Sequence, residues 1–119
     1  MIYVVDDDRE FAELVSRFVG KADHNHEAAK IFTNAIEAIN AINDEPPKLI
    51  FLDILLDGPD GFTLLNELRS YDDLAKVPIV IMSSLDFSKR NLNGYGVIGY
   101  LNKSEMKPEQ IKWYVEKYV

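Results

Sequence analysis

Acidic, hydroxyl and ammonium side chains follow four short apolar runs in this sequence of 119 residues. In chain order they are Asp6-Asp7-Asp8, Asp53, Ser83-Ser84 and Lys103. Carboxylates that are crowded together repel one another, and a nearby positive charge removes the conflict. Oxygen ligands without histidine or cysteine favour a hard ion such as Mg²⁺. If these side chains meet, a carboxylate beside a metal, an ammonium and a hydroxyl donor can accept a phosphoryl group as an aspartyl phosphate.

The apolar runs predict five strands that alternate with amphipathic stretches typical of helices. The predicted strands are residues 2–5, 27–32, 49–52, 79–82 and 97–101. Such alternation implies a parallel sheet with right-handed crossovers. A doubly wound sheet of this kind has its ligand site at the carboxyl ends of the strands. The polar residues named above stand at those ends, so we expect them to converge.

Apolar side chains at helical spacing predict which faces of the helices pack on the sheet. The predicted core residues are Phe11, Leu14, Val15 and Phe18, then Ile36, Ile39 and Ile42, then Leu64, Leu65 and Leu68, and finally Ile111, Tyr114, Val115 and Tyr118. We expect Gly20 to end the first of these helices and Pro108 to begin the last. Thr33 or Asn34 can cap the second. A short polar helix is predicted over residues 86–94.

The composition excludes several classes of function. With 13 basic and 20 acidic residues the net charge is −7, which disfavours nucleic-acid binding by this domain. The absence of cysteine excludes disulfides, thiolate metal sites and cysteine nucleophiles. No apolar run approaches the ~20 residues of a membrane span, and the first residues do not form a signal peptide. We therefore expect a cytoplasmic protein that does not bind membranes.

Four motifs together resemble the receiver domain of bacterial response regulators. They are VVDDD after the first strand, FLDILLDGPDGF around Asp53, IVIMSS and GYLNKS. The likeness covers essentially the whole chain, with the motifs in the family's order. It implies a single receiver domain over residues 1–119. It also implies an α/β fold of the flavodoxin-like (βα)5 type, a doubly wound, five-stranded parallel sheet with strand order 2-1-3-4-5.

The resemblance also implies the roles of the acidic residues. Asp53 matches the phosphoacceptor of the family. Asp6 and Asp7 match the acidic pair that holds Mg²⁺, with Asp53 as a further ligand. The residue two positions past the acceptor, Leu55, would offer its backbone carbonyl to the metal.

Three further residues match functional positions of the family. Lys103 matches the lysine of the site, Ser83 the switch hydroxyl, and Tyr100 the rotating aromatic of the fifth strand. Two positions depart from the usual pattern, because Asp57 stands where the loop after the acceptor usually has proline and Ser104 follows the lysine where proline is frequent. A cis bond without proline costs ~3 kcal/mol, so we expect the bond before Ser104 to be trans.

The function that the resemblance implies is a phosphorylatable switch in a two-component system or phosphorelay. The donor would be a histidine kinase or a histidine phosphotransfer protein, and the recipient of the signal a downstream protein effector or an output domain absent from these residues. A phosphorylation-dependent homodimer is left open as a further partner. The chain would catalyse only its own phosphorylation and dephosphorylation. Leu55 and Leu85 flank the expected path of the attacking water and cannot orient it, which predicts slow dephosphorylation.

Two other functions remain as alternatives. A degenerate receiver would act only as a protein-interaction module, and a Mg²⁺ titration would distinguish it. A phosphatase of the haloacid dehalogenase type also forms an aspartyl phosphate, but usually has an acid two residues after the nucleophile, where this chain has Leu55.

Some residues also have simpler explanations. The acids of 6–8 suit a helix N-terminus. His24 and His26 are expected on the surface, because no third metal ligand is evident. Trp113 lies off the apolar stripe of its helix, which fits either a partner contact or partial burial.

Overall fold

Five parallel strands form a single twisted sheet with helices on both of its faces. In the computed structural model, which describes residues 1–56, 61–84 and 95–119, the strands are β1 (Ile2–Val5), β2 (Lys30–Phe32), β3 (Leu49–Asp53), β4 (Ile79–Ser83) and β5 (Val97–Asn102). Their order across the sheet is β2-β1-β3-β4-β5. The predicted fold class and strand order are therefore confirmed. The second strand is shorter than predicted, which is consistent with the poor strand propensity of the alanines that precede it.

Four helices cover the sheet in the described part of the chain. They are α1 (Arg9–Ala22), α2 (Ala35–Asp44), α3 (Gly61–Arg69) and α4 (Pro108–Tyr118). The helices α1 and α4 pack on one face, and α2 and α3 pack on the other. None of the described helices has the length and apolar character needed to cross a membrane. The polar helix predicted over residues 86–94 lies outside the described residues.

The central strands are buried along their whole length because both faces of the sheet are covered. Alternate side chains of β3 point to opposite sides: Ile50 and Leu52 join the core under α2 and α3, and Leu49 and Phe51 join the core under α1 and α4. This arrangement explains why these strands are continuous apolar runs instead of alternating patterns.

The helix α1 differs from its prediction in both its end and its buried face. It continues past Gly20 to Ala22, so Gly20 does not end it. Its buried residues are Ala12, Val15, Ser16 and Val19, whereas Leu14 is 37% exposed. The small side chains allow close packing, and the Ser16 hydroxyl donates a hydrogen bond of 2.8 Å to the carbonyl of Ala29.

The other helices agree better with the sequence patterns. Asn34 caps α2, since its side chain accepts a hydrogen bond from the amide of Glu37, but Ile36 is 57% exposed and the prediction for it was wrong. The core positions of α3 and the start of α4 at Pro108 are as predicted. In α4, Ile111 and Val115 are buried, whereas Tyr114 and Tyr118 are only partly buried.

The first residue of α3 lies against the end of β3. The Gly61 amide donates a hydrogen bond of 3.0 Å to the carbonyl of Ile54. A Cβ at Gly61 would lie 2.6 Å from Ile54 Cα and 2.9 Å from the Asp53 carbonyl oxygen. These are backbone atoms that cannot turn aside. Glycine at this position therefore lets the helix approach the carboxyl edge of the sheet.

We expect Gly61→Ala to destabilise the protein by about 2 kcal/mol, because its methyl group overlaps backbone atoms. Gly20→Ala is the matched control. Its Cβ would meet Ala28 only at ordinary contact distances of 3.5 Å and more. Inside a helix, alanine in place of glycine contributes up to about 1 kcal/mol. Urea denaturation measures both changes, and equal stability of the two variants would contradict the packing argument.

Candidate functional site

The ends of β1 and β3 bring three carboxylates together. Val5 pairs with Leu52, so Asp6, directly after β1, lies beside Asp53 at the end of β3. Asp6, Asp7 and Asp53 each present an oxygen, and these oxygens all lie within 4.8 Å of one another. Asp6 and Asp53 are buried, and Asp7 is partly buried. The strand order thus places buried negative charge at the carboxyl edge of the sheet.

Lys103 supplies the positive charge that faces these acids. Its amide donates a hydrogen bond of 2.9 Å to the carbonyl of Ser83, which extends the β4–β5 pairing by one residue. Its Nζ lies 2.7 Å from Asp6 Oδ2 and 3.0 Å from Asp53 Oδ2. The side chain is 19% exposed, so the ammonium group bridges the two carboxylates largely out of water. The peptide bond between Lys103 and Ser104 is trans, as predicted.

Backbone amides hold the second carboxylate oxygen of both Asp6 and Asp53. The Asp8 amide donates to Asp6 Oδ1 at 2.9 Å, and the Leu55 amide donates to Asp53 Oδ1 at 3.1 Å. Both carboxylates are therefore held with one oxygen toward the backbone and the other toward Lys103. Asp8, the most exposed of the three consecutive acids, instead caps α1 by accepting a hydrogen bond from Phe11 N at 3.1 Å.

The negative charge of the site is only partly balanced. Burial raises the pKa of Asp6 to about 6, and the nearby charge of Asp53 adds to this, although Lys103 and the amide of Asp8 act in the opposite direction. Burial lowers the pKa of Lys103, but its contacts with Asp6 and Asp53 raise it more, so that the net direction is upward. The lysine therefore stays charged, while Asp6 resists ionisation.

The arrangement fits a divalent cation bound by oxygen ligands. Asp6 Oδ2 is fully buried, and the described residues give it no polar partner other than Lys103 Nζ at 2.7 Å. A carboxylate oxygen has two lone pairs, so one remains for a metal beside the contact with Lys103. Three carboxylates without histidine or cysteine suit a hard ion such as Mg²⁺. The role of the Leu55 carbonyl stays a prediction; the Leu55 side chain is 47% exposed beside Asp53.

Ser83 and Tyr100 lie on the two strands beyond Asp53. Asp53 pairs with Met82, so Ser83 stands one position further along the neighbouring strand, where it is buried. Tyr100, on β5, pairs with Ile81 of β4 and is partly buried against the core under α2 and α3. Both residues are thus near the edge that carries the acids. The predictions for Asp57 and Leu85 concern residues 57–60 and 85–94, outside the described ranges.

The sequence patterns missed a contact made by Phe11. This residue was predicted only as part of the apolar stripe of α1, but Lys103 Nζ lies 4.7 Å from the centroid of its ring. Phe11 stands three positions after the cap of α1, which places it near the strand ends. That spacing was the available signal, but it does not identify the partner.

Comparison with known proteins gives a consistent family. The model of the response regulator receiver domain matches residues 2–116. Among curated proteins, the chain is 30% identical to the probable transcriptional regulator ycf29 of Porphyra purpurea over 112 residues, which cover 92% of this chain and 52% of that protein. It is 31% identical to the transcriptional regulatory protein MalR of Bacillus subtilis, covering 86% of this chain and 43% of MalR. The chain thus spans about half the length of these relatives.

A solved structure extends the likeness to three dimensions. The receiver domain of NtrX from Brucella abortus is 28% identical and superposes with a TM-score of 0.82. The match covers 99% of this chain and 97% of that domain. The fold described above is therefore shared over its full length.

The raised pKa of Asp6 predicts how stability depends on pH without metal. The stability that protonated Asp6 contributes is complete below its ordinary pKa of 3.8 and is lost as the pH rises through about 6. Across this window the free energy of unfolding should fall by about 3 kcal/mol relative to Asp6→Asn. Urea denaturation in a chelator at a series of pH values measures the difference. If the free energies of unfolding of the two proteins change in parallel with pH, the pKa of Asp6 is not raised in the folded protein.

Proposed function

The chain belongs to the family of response regulator receiver domains, and we propose that it is a phosphorylatable switch whose acceptor is Asp53. The observation that carries this proposal is the Lys103 ammonium group, which lies 3.0 Å from Asp53 Oδ2 and also contacts Asp6. Asp53 is the last residue of β3. The ammonium group of Lys103 beside it can stabilise a phosphoryl group during transfer.

The proposed reaction moves a phosphoryl group from a histidine to Asp53. An oxygen of Asp53 forms the new bond to phosphorus as the phosphorus–nitrogen bond of the donor breaks, and the electron pair of that bond leaves with the imidazole. Lys103 holds the acceptor carboxylate and pairs with the charge that develops on the phosphoryl oxygens. The amide of Leu55 keeps the other oxygen of Asp53 oriented by its hydrogen bond of 3.1 Å.

Mg²⁺ is the proposed cofactor. Asp6, Asp7 and Asp53 would hold it together with the backbone carbonyl of Leu55, and when bound it would supply positive charge to the phosphoryl oxygens. Buried Asp6 Oδ2, whose only polar partner among the described residues is Lys103, supports this assignment because one lone pair remains. The excess of negative charge among the three carboxylates supports it as well.

The proposed readout involves Ser83 and Tyr100. A phosphoryl group on Asp53 adds charge and acceptor oxygens, and the Ser83 hydroxyl can donate to them from the neighbouring strand. Tyr100 lies on β5, three residues before Lys103. A displacement of Lys103 would therefore be transmitted to Tyr100 along the same strand. The burial of Ser83 one position beyond the partner of Asp53, and the partial burial of Tyr100 on the neighbouring strand, support these roles.

The proposed partners are a phosphorylated histidine kinase or phosphotransfer protein as donor and a protein effector or output domain as recipient. A phosphorylated homodimer is one form that the recipient can take. We propose a cytoplasmic protein without other enzymatic activity. A phosphatase of the dehalogenase type is disfavoured because Leu55 occupies the position of its general acid.

Acetyl phosphate with Mg²⁺ should add one phosphoryl group to the parent protein, and Asp53→Asn should add none, because the nucleophilic oxygen is lost. Intact-protein mass spectrometry measures the added mass. Asp8→Asn is the matched control, since it makes the same change at an exposed cap where asparagine is equally suitable. Labelling of Asp53→Asn would exclude this acceptor, and loss of labelling in Asp8→Asn would indicate a general effect of removing acids.

The aspartyl phosphate should be long-lived, because exposed Leu55 offers no group that could orient the attacking water. We expect Leu55→Asn to accelerate its decay by roughly tenfold. The decay is followed by mass spectrometry after removal of the donor. Leu14→Asn, the same change at an exposed position of α1, should leave the lifetime unchanged. A parent protein that decays as fast as Leu55→Asn would contradict the argument.

A further inference from the structure

The ring of Phe11 faces the ammonium group of Lys103. Nζ lies 4.7 Å from the ring centroid, within the ~6 Å at which a cation is attracted to the face of an aromatic ring. The attraction is stronger when the cation is removed from water. The Lys103 side chain is only 19% exposed, so this condition is met.

The position of Phe11 is fixed from two sides. Its amide donates to the Asp8 carboxylate at the start of α1, which sets the backbone of the first helical turn. Its side chain is partly buried against the core that α1 and α4 form with the sheet. The ring is therefore carried by a capped helix end and has packing contacts of its own besides Lys103.

Lys103 needs such a fixed contact because its side chain is long. An unrestrained lysine loses considerable rotamer entropy when its ammonium group is held in one place. Two of its contacts are to Asp6 and Asp53, at 2.7 and 3.0 Å. Both partners are also proposed ligands of the metal, so their contacts with Lys103 change when a cation competes for their oxygens. The contact with Phe11 involves no oxygen, so a cation at the acids does not compete for it.

We propose that Phe11 is a positioning residue, whose ring face holds the Lys103 ammonium group beside Asp53. This role rests on the proposed function, because the group that Lys103 serves is the phosphoryl acceptor. Phe11 does not touch the reacting atoms and acts only through Lys103. Its effect should be largest with Mg²⁺ present, when Asp6 is least available to the lysine.

The test compares Phe11→Leu, which keeps an apolar side chain but removes the ring, with Phe11→Tyr, which keeps the ring face. Phe18→Leu is the matched control, because Phe18 lies two turns further along α1 and packs on the same core. One measurement is the NMR shift of the Lys103 ε-methylene protons in the unphosphorylated protein, which a nearby ring face moves upfield. The other is the rate of phosphorylation by acetyl phosphate with Mg²⁺.

We expect Phe11→Leu to remove the upfield shift and to slow phosphorylation about tenfold, the rate equivalent of a desolvated cation–π contact. Phe11→Tyr and Phe18→Leu should retain both properties within about twofold. The proposal is overturned if Phe11→Leu keeps the shift or the rate, or if Phe18→Leu slows the reaction equally. An equal loss in Phe11→Tyr also overturns it, because the ring face would then not be the cause.

Incorporation of pentafluorophenylalanine at position 11 covers the case in which Phe11→Leu does not fold. This residue keeps the shape of the ring but removes the negative charge of its face, so the same slowing is expected, and an unchanged rate overturns the proposal. If the parent protein is not phosphorylated on Asp53, the proposed function fails, and the rate comparison loses its meaning. The NMR shift then still shows separately whether Phe11 holds the lysine.

Discussion

One ammonium group shared by two buried carboxylates organises the carboxyl edge of the sheet. Lys103 follows β5, whereas its partners Asp6 and Asp53 follow β1 and end β3. Because β4 lies between β3 and β5, the lysine reaches across a strand and ties together parts of the sheet that do not pair directly. Removing it would leave two buried acids side by side, with no described ammonium group between them, which is an arrangement that folded proteins avoid.

The strand register determines that these groups meet. Ile79 pairs with Val97, but Val80 pairs with Gly99, so β5 contains one extra residue opposite β4. A shift of one residue turns every following side chain to the other face of a sheet. The irregularity therefore sets which side Tyr100 faces and how Lys103 enters the site. Gly61 has a comparable role on the other side of Asp53, because only glycine lets α3 begin so close to the end of β3.

The strands and the polar residues at their ends could be predicted because both are local in sequence. A buried parallel strand is a continuous apolar run, and the acids, the serine and the lysine follow such runs directly. The helix faces were harder, because periodicity defines an apolar stripe but not which edge of it approaches the sheet. In α1 the buried positions include the small residues Ala12 and Ser16, whereas the larger Leu14 is exposed. The contact of Phe11 with Lys103 joins residues that are far apart in sequence, and no local pattern encodes it.

Under the proposed function, the charge of the site would explain why phosphorylation changes its structure. Three carboxylates face one ammonium group, and a bound divalent cation would bring their formal sum to zero. Converting the Asp53 carboxylate to an acyl phosphate adds about one negative charge or less, so the balance is lost again. With Lys103 and the amide of Leu55 already engaged, the added charge favours a rearrangement that brings another donor. In the proposed switch, that donor would be the hydroxyl of Ser83, which is buried one position beyond the residue paired with Asp53. The carbonyl of Ser83 also accepts a hydrogen bond from the Lys103 amide. A movement of Ser83 would therefore displace the end of β5 directly.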